Sequence, residues 1–390
     1  MILNWETIMN KYLIILLGVL FFGCREEFWP SIDKYENLLV VDGSITNQPG
    51  PYTIRLSSST LVQDASFSPF EGALVKIYDD FGNEEILNEI EPGVYQTSAS
   101  GIKGQVGRAY KLVINTPDER YYESAFSKIQ EPIGIDSVYA LIESKPTNDP
   151  EFYYWGYQFY LDTKVADHDS VNFLWQLNAT YEYRSDFLIR YYFDGQLHPM
   201  DDPYSFWRCW IDDNVGSNFT ASTDYLAEPV IKGYPLIFVN TETRKLSVRY
   251  SLKVSQFIVD RDAFNYFDQI KNINDEQGTL FTSLPYQVRG NLRNINDESE
   301  PVLGYFLVGG QSEKRIFVNP PYINKFRYSV CELGEEDYQN VGSIYYSDPK
   351  AYPIFITYDI NYALALPAQA CMDCRLKGGT INKPDFWIDY

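Results

Sequence analysis

Histidine is almost absent from this chain: His168 and His198 are the only two in 390 residues. A Ser-His-Asp triad or a histidine-bearing metal cage would need one of them. His168 stands in the charged run Ala166-Asp167-His168-Asp169, and His198 precedes Pro199. Both read as solvated loop residues. There is no Gly-x-Ser-x-Gly elbow to present a nucleophilic serine. Positive charge is scarce too, with 32 Lys and Arg against 53 Asp and Glu and a net charge of −21. Nucleic acid and anionic lipid faces repel such a chain, which excludes both as partners. No apolar run approaches the roughly twenty residues that span a bilayer as a helix. No repeat of fixed period and no low-complexity tract is visible.

What is present begins with a leader. Lys11 precedes Leu13 to Phe22, an apolar run of about ten residues, and Gly23-Cys24 follows at once. A basic start, a short apolar stretch and a small residue before the cut make a secretory signal, here spanning 1–23. Cysteine directly after the small residue marks the lipoprotein form, so Cys24 is the expected lipid attachment site and membrane anchor. Residues 24–37 read as a tether.

Four cysteines remain after Cys24: Cys209, Cys331, Cys371 and Cys374. An even number in an exported chain suggests two disulfides, in any of three connectivities. Cys371 and Cys374 could offer one zinc-ligand pair, but Cys209 and Cys331 supply no second close pair. A loose Gly-rich tail gains most from being pinned, so the preferred pairing joins it to the body of the protein.

Residues 38–130 read as a small β-sandwich. Leu38 to Val41 forms a short strand ended by Asp42-Gly43. Tyr52, Ile54 and Leu56 alternate with polar residues, as do Val75 and Ile77, then Tyr110, Leu112 and Ile114. Turn signals recur roughly every ten residues. Glu131-Pro132 opens a second β-rich, sandwich-like domain, 131–390, with strands from Phe152 to Leu161 and Phe173 to Tyr183. Residues 184–235 look irregular and are expected to form an insertion over the sheet. One amphipathic helix is expected over about 261–277, capped by Asp260 and stopped by Gly278. Leu303 to Val308 and Arg315 to Val318 read as two further strands. The fold class is therefore mainly β, an Ig-like or transthyretin-like sandwich followed by a second sandwich-like unit.

Aromatics make up 16% of the chain, including 33 Tyr and 7 Trp. Many fill half-buried strand positions. Tyr191, Tyr192, Trp207 and Trp210 lie in or beside the expected insertion and are the candidate partner-binding residues. Paired carboxylates are too plentiful in so acidic a chain to point to a glycosidase. Asn294, Asn296, Asp297, Glu298 and Glu300 lack the order of a calcium loop and read as a solvated turn. No catalytic residue, metal or cofactor is assigned.

Several segments resemble the domain of unknown function 4249 family of Bacteroidota lipoproteins. They are Val41-Asp42-Gly43-Ser44-Ile45; Glu71-Gly72-Ala73-Leu74-Val75-Lys76-Ile77 with Gly93-Val94-Tyr95; and Tyr110-Lys111-Leu112-Val113-Ile114. Val288-Arg289-Gly290-Asn291 with Leu303-Gly304-Tyr305-Phe306 and the tail Cys371-Met372-Asp373-Cys374-Arg375-Leu376-Lys377-Gly378-Gly379-Thr380 complete the set, and the tail reads as the most specific. The first sandwich, residues 38–130, alone also resembles a carboxypeptidase-regulatory or transthyretin-like domain. Arg25-Glu26-Glu27 behind the lipidated cysteine resembles the surface-export signal of such lipoproteins. Asp136-Ser137-Val138 and Asp169-Ser170-Val171 resemble their short O-glycosylation sequon, at Ser137 and Ser170.

The resemblance implies a surface- or periplasm-facing outer-membrane lipoprotein, surface-exposed if the acidic pair acts as an export signal, a non-enzymatic accessory of a TonB-dependent transporter, with the barrel or an associated lipoprotein as partner. The alternatives are a stand-alone glycan- or peptide-binding, adhesin-like lipoprotein and a hydrolase with an unrecognised site. Replacing Cys24 with Ala should leave the precursor unlipidated and release it from membranes, measured by fractionation and mobility; unchanged anchoring would contradict the leader assignment.

Overall fold

The computed structural model describes residues 38–59, 68–166, 170–276 and 288–389. The leader, Cys24, Arg25, Glu26, Glu27, the tether, His168 and Gly278 lie outside the described residues. The alternation read from the sequence becomes strands. In Thr53–Ser58 the side chains of Ile54 and Leu56 are buried while Arg55 is exposed. In Leu74–Asp79 Val75 and Ile77 are buried. Side chains two apart share a face of a strand, so each of these pairs points into one core. They meet Tyr110, Leu112 and Ile114 from Ala109–Asn115 there. Full burial of each such aliphatic side chain contributes about 1.5–3 kcal/mol.

A nine-stranded sheet forms a layer shared by two sandwiches. At one end it carries Leu39–Thr46, Thr53–Ser58 and Val94–Gln96, packed against a sheet that contains Leu74–Asp79, Ala109–Asn115 and Tyr121–Ser124. At the other end it carries Asn172–Arg184, Arg208–Ser222 and Arg249–Val259, facing the three-stranded sheet of Ile135–Pro146, Tyr153–Lys164 and Val230–Asn240. Both faces of this second half are covered. Phe173 and Trp175 point toward the three-stranded sheet, stacked with centroids 5.4 Å apart, and the Trp175 indole N–H donates to Gln256 Oε1 at 2.8 Å. Leu174 between them faces the helix Arg261–Glu276. That helix starts as expected: Ala263 N–H donates to the Asp260 carboxylate at 2.8 Å. Its Ala263, Phe264 and Phe267 pack on the sheet, joined by Tyr266, whose ring lies 4.7 Å from that of Tyr305.

Three expectations need correction. The strand that begins at Leu39 does not end at Asp42-Gly43 but runs to Thr46, because Gly43 and its neighbours pair on both sides. The two expected strands after Leu303 are one, Leu303–Val318. Its first half pairs in parallel with Val40 to Thr46, and its second half pairs antiparallel with Tyr250 to Ile258. The sandwich read as residues 38–130 therefore also draws Leu292, Val302, Phe306 and Val308 into its core. Gly304 makes the parallel contact possible. It sits at φ +78°, and a Cβ there would lie 1.9 Å from the Val41 carbonyl oxygen.

Finally, 184–235 is not an irregular insertion. It holds most of two long strands, Arg208–Ser222 and Val230–Asn240, and a small hairpin of Tyr191–Phe193 and Leu197–Pro199. Arg208–Ser222 is the outer strand of the large sheet, and its middle carries Asp212, Asp213, Asn214 and Gly216. Polar residues on an edge strand conceal the alternation that marks a buried one.

The tail closes the exposed edge of Arg208–Ser222. Cys374 bonds to Cys209 and Cys371 to Cys331, so both tail cysteines are tied to the body. Trp210 and Thr380 exchange two backbone hydrogen bonds at 2.9 Å. Cys209 and Trp210 are adjacent and face opposite ways, and the tail touches both. Cys374 packs on the Tyr183 and Ile211 face, and Trp387 meets Trp210 on the other. Replacing Cys374 with Ser opens a bridge across 165 residues of sequence. We expect a loss of about 2–4 kcal/mol in denaturant unfolding. An unchanged midpoint would show that the clasp adds nothing.

Candidate binding cleft

The register of the outer strands builds a cleft beneath the tail. Glu182 lies directly opposite Trp210 on one side and Arg249 on the other, and Arg184 lies opposite Arg208. Directly opposed residues share a face, and so do residues two apart on one strand. One face of the sheet therefore gathers Glu182, Arg184, Arg208, Trp210 and Arg249. All of these but Trp210, together with Ser247, Val248, Asn319, Pro320 and Asp389, line a cleft of about 560 Å³. Three arginines face two carboxylates here, in a chain whose net charge is −21.

The Glu182 side chain is buried and organises the site. Its Oε1 accepts from Arg184 Nε at 2.7 Å and its Oε2 from Arg208 Nη2 at 2.8 Å. Arg208 Nη2 also donates to Asp389 at 2.6 Å. Lys383 and Arg208 together hold the Asp389 carboxyl at about 2, well below the ordinary aspartate value. Among the described residues Arg249 has no carboxylate within ion-pair distance. Its guanidinium lies 4.9 Å from the Phe317 ring, while Arg208 lies over Trp210 and Arg184 over Trp207. Among the described residues, ten buried side-chain polar atoms lack a hydrogen-bond partner. Five of them are N–H donors at this spot: Arg208 Nε, Arg249 Nε and Nη1, and the indole nitrogens of Trp210 and Trp387. Buried donors are nearly always paired in folded proteins, with protein groups or with ordered water, so this concentration stands out.

A second depression, of about 480 Å³, lies on the first sandwich beside Asp79, Glu85 and Arg108. Its charges are already matched. Arg108 bonds Asp79 at 2.8 Å and Asp80 at 2.6 Å, and Glu85 accepts from Ser98 and Ile102.

The model of the family described as Domain of unknown function (DUF4249) matches residues 25–315. The chain belongs to the DUF4249 family. The match contains Glu182, Arg184, Arg208 and Arg249, whereas Asn319, Pro320, Asp389 and the tail motif Cys371 to Thr380 lie beyond it. The assignment to DUF4249 thus rests on the earlier segments and not on the tail. No curated protein matches this DUF4249 chain.

The four candidate aromatics do not form one surface. Trp210 is 6% exposed and packs with centroids 6.3 Å from Trp387, so it is core. Trp207 is half-buried beside Arg184, next to the cleft but not lining it, with the exposed Tyr204 5.6 Å from it. Tyr191 and Tyr192 pack into two clusters of the small sheet that Ile354–Tyr358 completes. The exposed aromatics are others, among them Tyr322, Tyr345, Tyr346 and Tyr362. They sit in loops or, for Tyr345 and Tyr346, in the short 3-10 helix Asn340–Tyr346, where no sequence pattern separates an exposed ring from a buried one.

Ser137 donates to Asp162 at 2.8 Å, and Ser170, exposed, bonds Asp224. His198 stacks on Tyr192 and lies 3.3 Å from Asp194; among the described residues no serine hydroxyl hydrogen-bonds to it. The expected solvated acidic turn is only partly solvated. Asn294 is buried, and Glu300 accepts from Arg120 and Tyr122 at 2.9 Å each, tying the loop to Tyr121–Ser124. The described residues hold no group of three His, Cys, Asp or Glu placed to bind a metal.

Proposed function

We propose that this DUF4249 protein is a lipid-anchored, surface-exposed outer-membrane binding protein, a non-enzymatic accessory of a TonB-dependent barrel. The observation that carries a binding role is the cleft: an uncompensated Arg249 over an aromatic ring, two strands in from a sheet edge that a disulfide pins. Rigid sheets position recognition surfaces well, and Arg and Trp are the residues that most often dominate contact energies. Export is supported by the leader and by four cysteines paired in two bridges, as suits an oxidising compartment. The chain's acidity supports a protein partner or a small ligand over nucleic acid. The second reading, a stand-alone peptide or glycan binder, uses the same cleft without a barrel.

Recovery from gently solubilised membranes separates the two. The native protein should bring down one barrel or companion lipoprotein. Trp207→Ala should cost about 2 kcal/mol at an anchor position, reducing recovery roughly thirtyfold while circular dichroism stays native. A variant that folds and still recovers the partner in full, or a native protein that recovers none, would overturn the accessory reading.

A further inference from the structure

We infer that the cleft takes a carboxylate of an acidic peptide segment, received by Arg249, with Asp389 on Arg208 as a resident competitor. The inference rests on the binding role proposed above and names its ligand.

The donors select the chemistry. The Arg249 guanidinium lies over the Phe317 ring and, among the described residues, pairs with no carboxylate. Arg249 Nε and Nη1 and Arg208 Nε lack a hydrogen-bond partner, while Arg208 Nη2 is already taken by Glu182 and Asp389. A guanidinium edge matches a planar two-oxygen acceptor, and Arg is preferred wherever such bidentate recognition is needed. Glu182 holds Arg184 and Arg208 in place before any ligand arrives, so little side-chain freedom is lost on binding.

The tail shows which carboxylate carrier suits this surface. Asp389 already sits on Arg208 at 2.6 Å. Two residues earlier, Trp387 lies against Phe317 with centroids 5.4 Å apart, and Phe386 lies under the Arg315 guanidinium at 3.6 Å. An extended peptide with aromatic and acidic side chains is thus accommodated here by the protein's own chain. About 560 Å³ of cleft remains alongside it, enough for a few residues. The long-range field of a chain of net charge −21 opposes polyanions, so a singly charged peptide carboxylate is favoured over phosphate-rich or sulfated ligands. Asp389 opposes the incoming charge from its place on Arg208, so neutralising it strengthens binding.

The test is calorimetric titration of the purified full-length protein with acetyl-Trp-Ile-Asp-amide. The Asn counterpart of that peptide, glucuronate and inorganic phosphate serve as the other probes. Asp389→Asn should bind the acidic peptide at least tenfold more tightly than the native protein, and binding seen only in that variant supports the competitor role equally. Adding Arg249→Gln should reverse the gain by at least tenfold, with the Asn peptide failing throughout. Thermal melts establish that each variant is folded, and Arg184→Gln serves in place of Arg249→Gln if the latter does not fold. No binding to any folded form, binding indifferent to the arginine substitution, or tighter binding of glucuronate or phosphate overturns the inference. Such a failure leaves the membrane-recovery result untouched, so the ligand assignment and the accessory role fall separately.

Discussion

The structure depends on one strand having two sets of partners. Leu303–Val318 pairs in parallel with the first strand of the first sandwich and then antiparallel with Arg249–Val259 in the second. A parallel pair needs a long connection, and here nearly the whole chain supplies it. The strand places Phe306 and Val308 in the first core and Ile316 and Val318 against the second. It also ends at the cleft: Phe317 supports Arg249 and Trp387, and Asn319-Pro320 form the wall beyond. The two sandwiches therefore share one rigid layer, and the cleft is fixed to it.

The second constraint is the open edge of Arg208–Ser222. Unpaired edge groups invite pairing with other chains, and proteins cover them. The tail covers part of this edge by a disulfide on one face, a two-bond bridge at Trp210 and an indole on the opposite face. The same wrapping brings Asp389 to Arg208. Edge protection and the shape of the cleft thus come from a single stretch of chain.

Local pattern made much of this fold legible. The period-two runs around Ile54, Val75 and Leu112 became buried faces, Asp260 capped the expected helix, and the tail cysteines joined the body. Long-range pairing was not legible. Nothing near Gly304 announces that its neighbour in space is Val41, and the Gly309-Gly310 pair looks like a turn although it lies inside a continuous strand. The cleft was hidden for a related reason. Arg249 is one of many charged residues in strands, and its lack of a carboxylate emerges only when three strands are laid in register. Trp210 was singled out for size and sequence neighbourhood, but the tail, distant in sequence, buries it.

The central claim is that this cleft faces a partner. Site-specific photo-crosslinking in intact cells tests it most directly, with the photoreactive residue placed at exposed Tyr204 beside Trp207 and, as a control, at exposed Phe81 on the first sandwich. The account predicts one dominant adduct from position 204, absent or much weaker from position 81. Adducts from position 81 alone, or equal patterns from both, would contradict it.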